Sequence, residues 1–266
     1  MILIKAGGGA GVNWDGIAGD IAGLRAERPV ILVHGANALR AELSARLGVP
    51  VRTVVSPSGI SSVYTDSESL DVFLMAYAGL ANKRIVARLL RQGIQAVGLT
   101  GVDGRLWEAA PKKDLYSVEN GKTKLYRDNL TGRVEKINVC LLRMLIRNGY
   151  MPVLCAPAVT SEGEIVNTDN DTAAAVLAAA MKVRTLLYLF EAPGFLRDAD
   201  RPESVVARVP REEIESLMSS AKGRMQKKLI GARRALEAGV REVIFADGRT
   251  VHPVRDALAG AGTVFA

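Results

Sequence analysis

The chain has 266 residues with a formal charge of +7, and its 48% hydrophobic and 24% charged content suits one large α/β domain or two lobes. Its apolar runs are too short to span a bilayer, and its start lacks a basic-then-apolar leader pattern; with Cys140 and Cys155 and with His34 and His252 all outside metal-ligand spacing, it reads as a cytoplasmic chain with no zinc site and no membrane contact. The positive charge favours acidic partners, but only 5% aromatics and no nucleic-acid-binding motif argue against nucleic acid.

Predicted strands and helices alternate. Ile2–Ala6 reads as a strand that ends in Lys5-Ala6-Gly7-Gly8-Gly9-Ala10-Gly11, and Val30–His34 as a second that ends in His34-Gly35-Ala36-Asn37. Arg52–Val55 is a third strand. Thr65 and Glu68 have capping-box spacing ahead of a stripe of Leu70, Phe73, Leu74, Tyr77, Leu80 and Ala81, which predicts a long amphipathic helix. After a strand at Ala96–Thr100, Lys112–Asp128 reads as a hairpin turning at Glu119-Asn120-Gly121 and made basic by Lys112, Lys113, Lys122, Lys124 and Arg127. Arg133–Asn148 reads as an amphipathic helix closed by Gly149. Next come a strand at Met151–Ala156, a polar stretch at Ser161–Asp171, an apolar helix at Asp171–Met181 and a strand at Thr185–Phe190. A basic helix at Lys222–Glu237, closed by Gly239, precedes strands at Glu242–Ala246 and Thr263–Phe265. Several strands are apolar throughout, so they are buried on both faces. The fold class is therefore α/β, a three-layer α/β/α sandwich on a mainly parallel sheet. The polar stretch is the best lobe boundary within a single domain, giving residues 1–170 and 171–266.

Glycine-rich turns between a strand and a helix let backbone N–H groups approach an anion at the positive end of the helix dipole. Two such turns and an early lysine suggest phosphate handling, although neither is a P-loop or a full G-x-G-x-x-G, and either alone is equally well strand punctuation. Asn167-Thr168-Asp169-Asn170-Asp171 carries more polar groups than one helix cap needs. Lys227 and Lys228 alone read as a solvated helix face, but a second lysine near the first would serve phosphoryl transfer, which relies on positioning and charge stabilisation.

Taken in order from Met1 to Ala266, KAGGG, VHGAN, VYTD, GLTGVDGRL, VNTDND, EAPGFL, GRMQKK and FADGR resemble the amino acid kinase family, specifically its acetylglutamate kinase branch. YSVENGK in the hairpin, TGRVEKIN and the closing FADGR…GAGT look most like the carrier-protein-linked (LysW-type) α-aminoadipate or glutamate kinases. The resemblance implies that Lys5 and Lys228 stabilise the migrating phosphoryl group while Asp171 holds both lysines. It places phosphate on Gly7 and Gly8, the acyl or carboxylate end of the acceptor on Gly35 and Ala36, and its amino-acid part on Asn167. It sets the nucleotide beside Phe190, Gly194, Leu196 and Met225. ATP is the implied donor, with Mg²⁺ carried on its phosphates and no protein metal cage. An acidic amino-group carrier protein and a homodimer are the implied partners. This chain departs from the family pattern at Val63, where an arginine for the substrate's α-carboxylate is usual. It departs also at Gly9, Ala36, Phe190 and Glu191. An N-acetylglutamate kinase, or a nucleotide-binding regulator without catalysis, are the alternative readings.

Overall fold

In the computed structural model, which describes residues 1–25, 27–55, 61–112, 114–119, 122–221 and 223–266, with only the backbone of 61, 119, 219, 220 and 224, the apolar runs form the strands of one sheet. The first half of the chain gives β1 (Ile2–Ala6), α1 (Trp14–Arg25), β2 (Val30–His34), α2 (Asn37–Leu47), β3 (Thr53–Val55), β4 (Ser61–Val63), α3 (Ser67–Leu74), α4 (Asn82–Arg91), β5 (Ala96–Thr100), β6 (Trp107–Pro111), β7 (Leu115–Glu119), β8 (Lys122–Tyr126) and β9 (Thr131–Ile137). The second half gives α5 (Val139–Arg147), β10 (Met151–Cys155), β11 (Ala158–Val159), β12 (Ile165–Thr168), α6 (Asn170–Met181), β13 (Thr185–Phe190), β14 (Arg208–Val209), α7 (Ile214–Ser220), α8 (Gly223–Glu237), β15 (Glu242–Asp247), α9 (Pro253–Leu258) and β16 (Thr263–Phe265).

The main sheet has the order β14-β16-β15-β13-β1-β2-β10-β5. Every pairing in it is parallel except β15 with β16. Alternate residues of a strand face opposite sides, and each face has its own apolar layer. Leu3, Ile31, Leu154, Leu186 and Phe245 pack with Ala174 and Leu177 of α6 and Leu229 and Leu236 of α8. Ile2, Ile4, Leu32, Val153 and Leu187 pack with Ile17 and Ile21 of α1, Ile85 and Leu89 of α4, and Val254 of α9. Burying one such side chain contributes about 1.5–3 kcal/mol, so strands covered on both faces contribute most of the core. This is the expected three-layer sandwich. Among the described residues, no helix is long and apolar enough to cross a membrane.

Four short strands close into a ring, β11-β12-β9-β6, and Trp107 at the start of β6 is fully buried. This ring corrects the helix expected at Arg133–Asn148. Residues up to Ile137 pair antiparallel with β6, Ala109 opposite Val134, and the helix starts only at Val139, where Asn138 Oδ1 accepts the Leu141 N–H at 3.1 Å. The helix expected after Thr65 also starts later. Asp66, not Thr65, is its cap, accepting the Ser69 N–H at 2.9 Å. That helix runs through a π-helical stretch at Met75–Ala81 into α4, with Phe73 and Tyr77 stacked at 3.9 Å between centroids. The basic hairpin forms as expected, with Leu115 opposite Tyr126 and Glu119 opposite Lys122; its Asn120-Gly121 turn lies outside the described residues.

Candidate active site

β1, β2 and β13 end level with one another, Ala6 beside both His34 and Leu189. Ligands of parallel α/β sheets gather at this carboxyl edge, because the strand-to-helix turns open there. The Gly7 N–H donates to Leu189 O at 2.7 Å and the Gly35 N–H to Ala6 O at 3.0 Å, so the two glycine turns continue the sheet and stand side by side. They touch. A Cβ on Gly8 would lie 2.3 Å from Ala36 N and 2.4 Å from Asn37 N, and one on Gly35 would lie 2.8 Å from Gly8 N. Only glycine permits that approach. The geometry also amends the phosphate cradle expected from Gly7 and Gly8. Gly7's N–H is committed to the sheet and Ala36's N–H donates to the Tyr77 hydroxyl, whereas the N–H groups of Gly8 and Asn37 have no partner among the described residues. Asn37 opens α2, so the positive end of its dipole faces the same place.

Lys5 points from the penultimate position of β1 and is buried. Asp171 lies in the first turn of α6, just after Asp169, whose side chain accepts the Thr172 N–H at 2.9 Å and caps the helix. Lys5 Nζ makes an ion pair with Asp171 Oδ1, and Lys228 Nζ donates to Asp171 Oδ2 at 2.6 Å. Asp171 and Lys228 are each only 8% exposed. Burial opposes ionisation of Asp171, but the two ammonium groups outweigh it and hold the carboxyl far below the usual carboxylate range. Burial, reinforced by the charge of Lys5, lowers the pKa of Lys228.

Lys228 reaches Asp171 because α8 lies close on α6. A Cβ on Gly231 would come 2.9 Å from Tyr188 Oη and 3.2 Å from Asp171 O, and Tyr188 Oη donates to that same carbonyl at 2.8 Å. Neither Gly231 nor Tyr188 was among the expected site residues. An isolated glycine inside a helical pattern was the available signal. Lys227 sits apart, 3.9 Å from Asp169 Oδ2.

His34 was also missed. It is fully buried, and its Nε2 accepts from Asn82 Nδ2 at 3.1 Å, so its Nδ1–H donates to Gly35 O at 3.2 Å. Lys83 donates to Asn82 Oδ1 at 3.1 Å and fixes that amide's orientation. Burial pushes the imidazole down to about 4, so it is neutral near pH 7 and holds the Gly35 carbonyl as a donor.

Asn167 Nδ2 donates to Thr65 Oγ1 at 3.0 Å, and that hydroxyl contacts Val63 O at 3.5 Å. Asn167 and Val63 thus share one wall. Of the cations that could stand in for an arginine at position 63, Lys83 is committed to Asn82 and Gly98, whereas Arg52 lies beside Asp66. On the other side, Phe190 ends β13 with its ring 5.4 Å from Lys228 Nζ, and Phe190 and Met225 pack on the same core layer. Gly194 and Leu196 are held farther out: a Cβ on Gly194 would meet Thr263 Oγ1 at 2.7 Å, and Leu196 bridges to Val205. The arrangement presents a buried group of net positive charge beside free N–H groups, which suits an anion that develops charge during reaction.

The sequence pattern of the amino acid kinase family matches residues 1–247. The chain belongs to the amino acid kinase family. This kinase is 44% identical over 265 residues to the [LysW]-aminoadipate kinase of Deinococcus radiodurans, covering 99% of this chain and 91% of that one. It is 43% identical to the [LysW]-aminoadipate kinase of Thermus thermophilus, covering 99% of both chains. Its fold is shared with N-acetylglutamate synthase from Neisseria gonorrhoeae, at a TM-score of 0.79 and 24% identity over 100% of this chain and 59% of that one.

Proposed function

We propose that this kinase transfers the γ-phosphoryl group of ATP to the side-chain carboxylate of an α-aminoadipate- or glutamate-like amino acid whose amino group is joined to an acidic carrier protein. The observation that carries the chemistry is the buried Lys5–Asp171–Lys228 group beside two touching glycine turns. The two full-length relatives named for a carrier-linked aminoadipate support the acceptor.

In the reaction an acceptor carboxylate oxygen attacks the γ-phosphorus, and the bond from that phosphorus to the β–γ bridging oxygen breaks, leaving an acyl phosphate and ADP. Lys5 and Lys228 stabilise charge on the transferring oxygens, and Asp171 fixes their separation. Gly8 and Asn37 present N–H groups to anionic oxygens at the turns. Gly35, Ala36 and Asn167 bind the acceptor, with Val63 on its wall. Phe190, Gly194, Leu196 and Met225 border the nucleotide. Magnesium would enter on ATP and screen its phosphates. The described residues hold no group of three or more His, Cys, Asp or Glu side chains for it, and magnesium is commonly held by one or two carboxylates plus phosphates.

The sheet supports a division of labour between residues 1–170 and 171–266. β5, β10, β2 and β1 come from the first part, and β13, β15, β16 and β14 from the second. The acidic carrier would dock on the hairpin, where Lys122 and Lys124 are exposed. Lys112, Lys227 and Arg133 extend that charge, for burial and then those two cations depress the Lys112 pKa. Exposed Met75 and Leu80 on the long helix support a homodimer, and a cytoplasmic location fits this chemistry. Trapping acyl phosphate with hydroxylamine, using free, N-acetylated and carrier-linked acceptors, tests the assignment. Carrier-linked substrate should give the most hydroxamate; equal use of N-acetylglutamate would remove the carrier.

A further inference from the structure

Glu191 follows the last residue of β13 and lays its carboxylate on the first glycine turn. Its Oε1 accepts the Gly11 N–H at 2.7 Å. A Cβ on Gly9 would stand 1.8 Å from its Oε2, so the carboxylate occupies the space that glycine leaves free. The guanidinium that neighbours it, Arg249, is already held by Asp247, through Nε to Oδ1 at 2.8 Å and Nη2 to Oδ2 at 2.7 Å. Arg249 feels the charge of Glu191, but among the described residues no Lys or Arg nitrogen makes an ion pair with Glu191. A carboxylate without an ion-pair partner among the described residues therefore lies on a turn beside the N–H groups of Gly8 and Asn37, which are free to receive an anion. This is the opposite of what an anion cradle needs, unless a cation comes with the anion.

We propose that Glu191 makes nucleotide binding depend on a divalent cation. Resting on the reading that this turn receives the ATP phosphates, Glu191 shares the cation with those phosphates and repels nucleotide that arrives without it. One carboxylate together with phosphate oxygens and water is a common magnesium environment. The side chain is exposed and reaches the turn through two flexible methylenes, so it can move from the Gly11 N–H onto a cation without disturbing the sheet. Phosphates alone meet its charge directly, and like charges at close range weaken binding.

The test measures ADP affinity by calorimetry on the full chain, with and without Mg²⁺, for wild type and Glu191→Gln. The glutamine keeps the length and an oxygen for the Gly11 N–H but loses the charge. Wild type should bind ADP at least about tenfold more tightly with Mg²⁺, whereas Glu191→Gln should gain affinity for metal-free ADP and retain less than about a threefold metal effect. As a second readout, Mn²⁺ bound with ADP should show an altered electron paramagnetic resonance spectrum when Glu191 is replaced. Equal ADP affinity with and without metal in wild type, or full metal dependence and an unchanged Mn²⁺ spectrum in Glu191→Gln, overturns the inference and leaves the kinase reading standing. Failure of both proteins to bind ADP under any condition removes the nucleotide reading itself, and the inference with it.

Discussion

Replacing Lys228 by alanine separates catalysis from folding in the buried charge group. Two ammonium groups share one carboxylate, with Lys228 donating to Asp171 at 2.6 Å and Lys5 paired to the other oxygen. Removal of Lys228 takes the group from net positive to neutral and leaves Asp171 paired with Lys5. No buried charge is orphaned, and the loss in stability is that of the aliphatic stem, about 1–2 kcal/mol. The transferring phosphoryl group, however, loses one of its two cations. Deleting one preorganised donor from a developing oxyanion costs about 3 kcal/mol, or about 10²–10³-fold in kcat. Lys228→Met retains the stem and should show the same kinetic loss with a smaller change in Tm. Asp171→Asn is the contrast. It leaves two buried ammonium groups facing one another, and losing the carboxylate of such a pair costs about 3–5 kcal/mol of stability. Steady-state hydroxamate production and thermal unfolding read the two effects. If Lys228→Ala and Lys228→Met both retain kcat within about tenfold of wild type while the fold is intact, the charge-stabilising role is wrong. Lys227→Ala, whose ammonium lies 3.9 Å from Asp169, should be mild.

Reversing Lys122 and Lys124 to glutamate should raise KM for carrier-linked acceptor through slower, salt-sensitive association and leave use of a small N-acetylated acceptor unchanged; stopped-flow binding decides it. His34, whose folded pKa is pushed down to about 4, binds protons more readily unfolded. Its neutral form therefore stabilises the fold above about pH 6.5, and as pH falls toward 4 about 3 kcal/mol is lost. Urea unfolding of wild type should show that slope and His34→Gln should flatten it. Gly231→Ala should push α8 from Tyr188 and lower kcat, while improved helix propensity, about 1 kcal/mol, offsets the strain in Tm; unchanged kcat would refute the close approach as the cause. Val63→Arg should improve acceptors that offer a free α-carboxylate and not the native one; no gain with any acceptor would mean that another cation, such as Arg52, already binds that group.

The central strands were legible because runs such as Val30–Val33 are short, β-branched and apolar without alternation, the pattern of a strand covered on both faces. The ring strands were not. Val134, Ile137 and Leu141 repeat at helical spacing, yet pairing with β6 claims the first two, so tertiary contact overrode the local period. Thr65 and Asp66 are both good caps, and the fold, not the local sequence, decides that Asp66 meets the free N–H. Within the site, Lys5, Asp171 and Lys228 came from resemblance to a family, since the meeting of distant charges has no local sequence signature. The commitment of the Gly7 N–H to Leu189 was invisible for the same reason: its acceptor lies on a strand far along the chain.

The place of β1 in the sheet has a consequence for the order in which the protein is made. β1 is synthesised before its sheet neighbours and lies between β2, which follows at once, and β13, which follows only at Thr185–Phe190. During translation β1 therefore waits with one edge bare while the rest of the first half gathers on its other side. Lys5 waits with it, because Asp171 and Lys228 have not yet left the ribosome. The seam between β1 and β13 joins the early half-sheet to the late one, and it runs beneath the paired charges. A nascent chain released before residue 185 would expose that bare edge to other chains. The charge group can be assembled only once Lys228 is out, so the molecule gains its chemistry after the strand that covers this edge has been made.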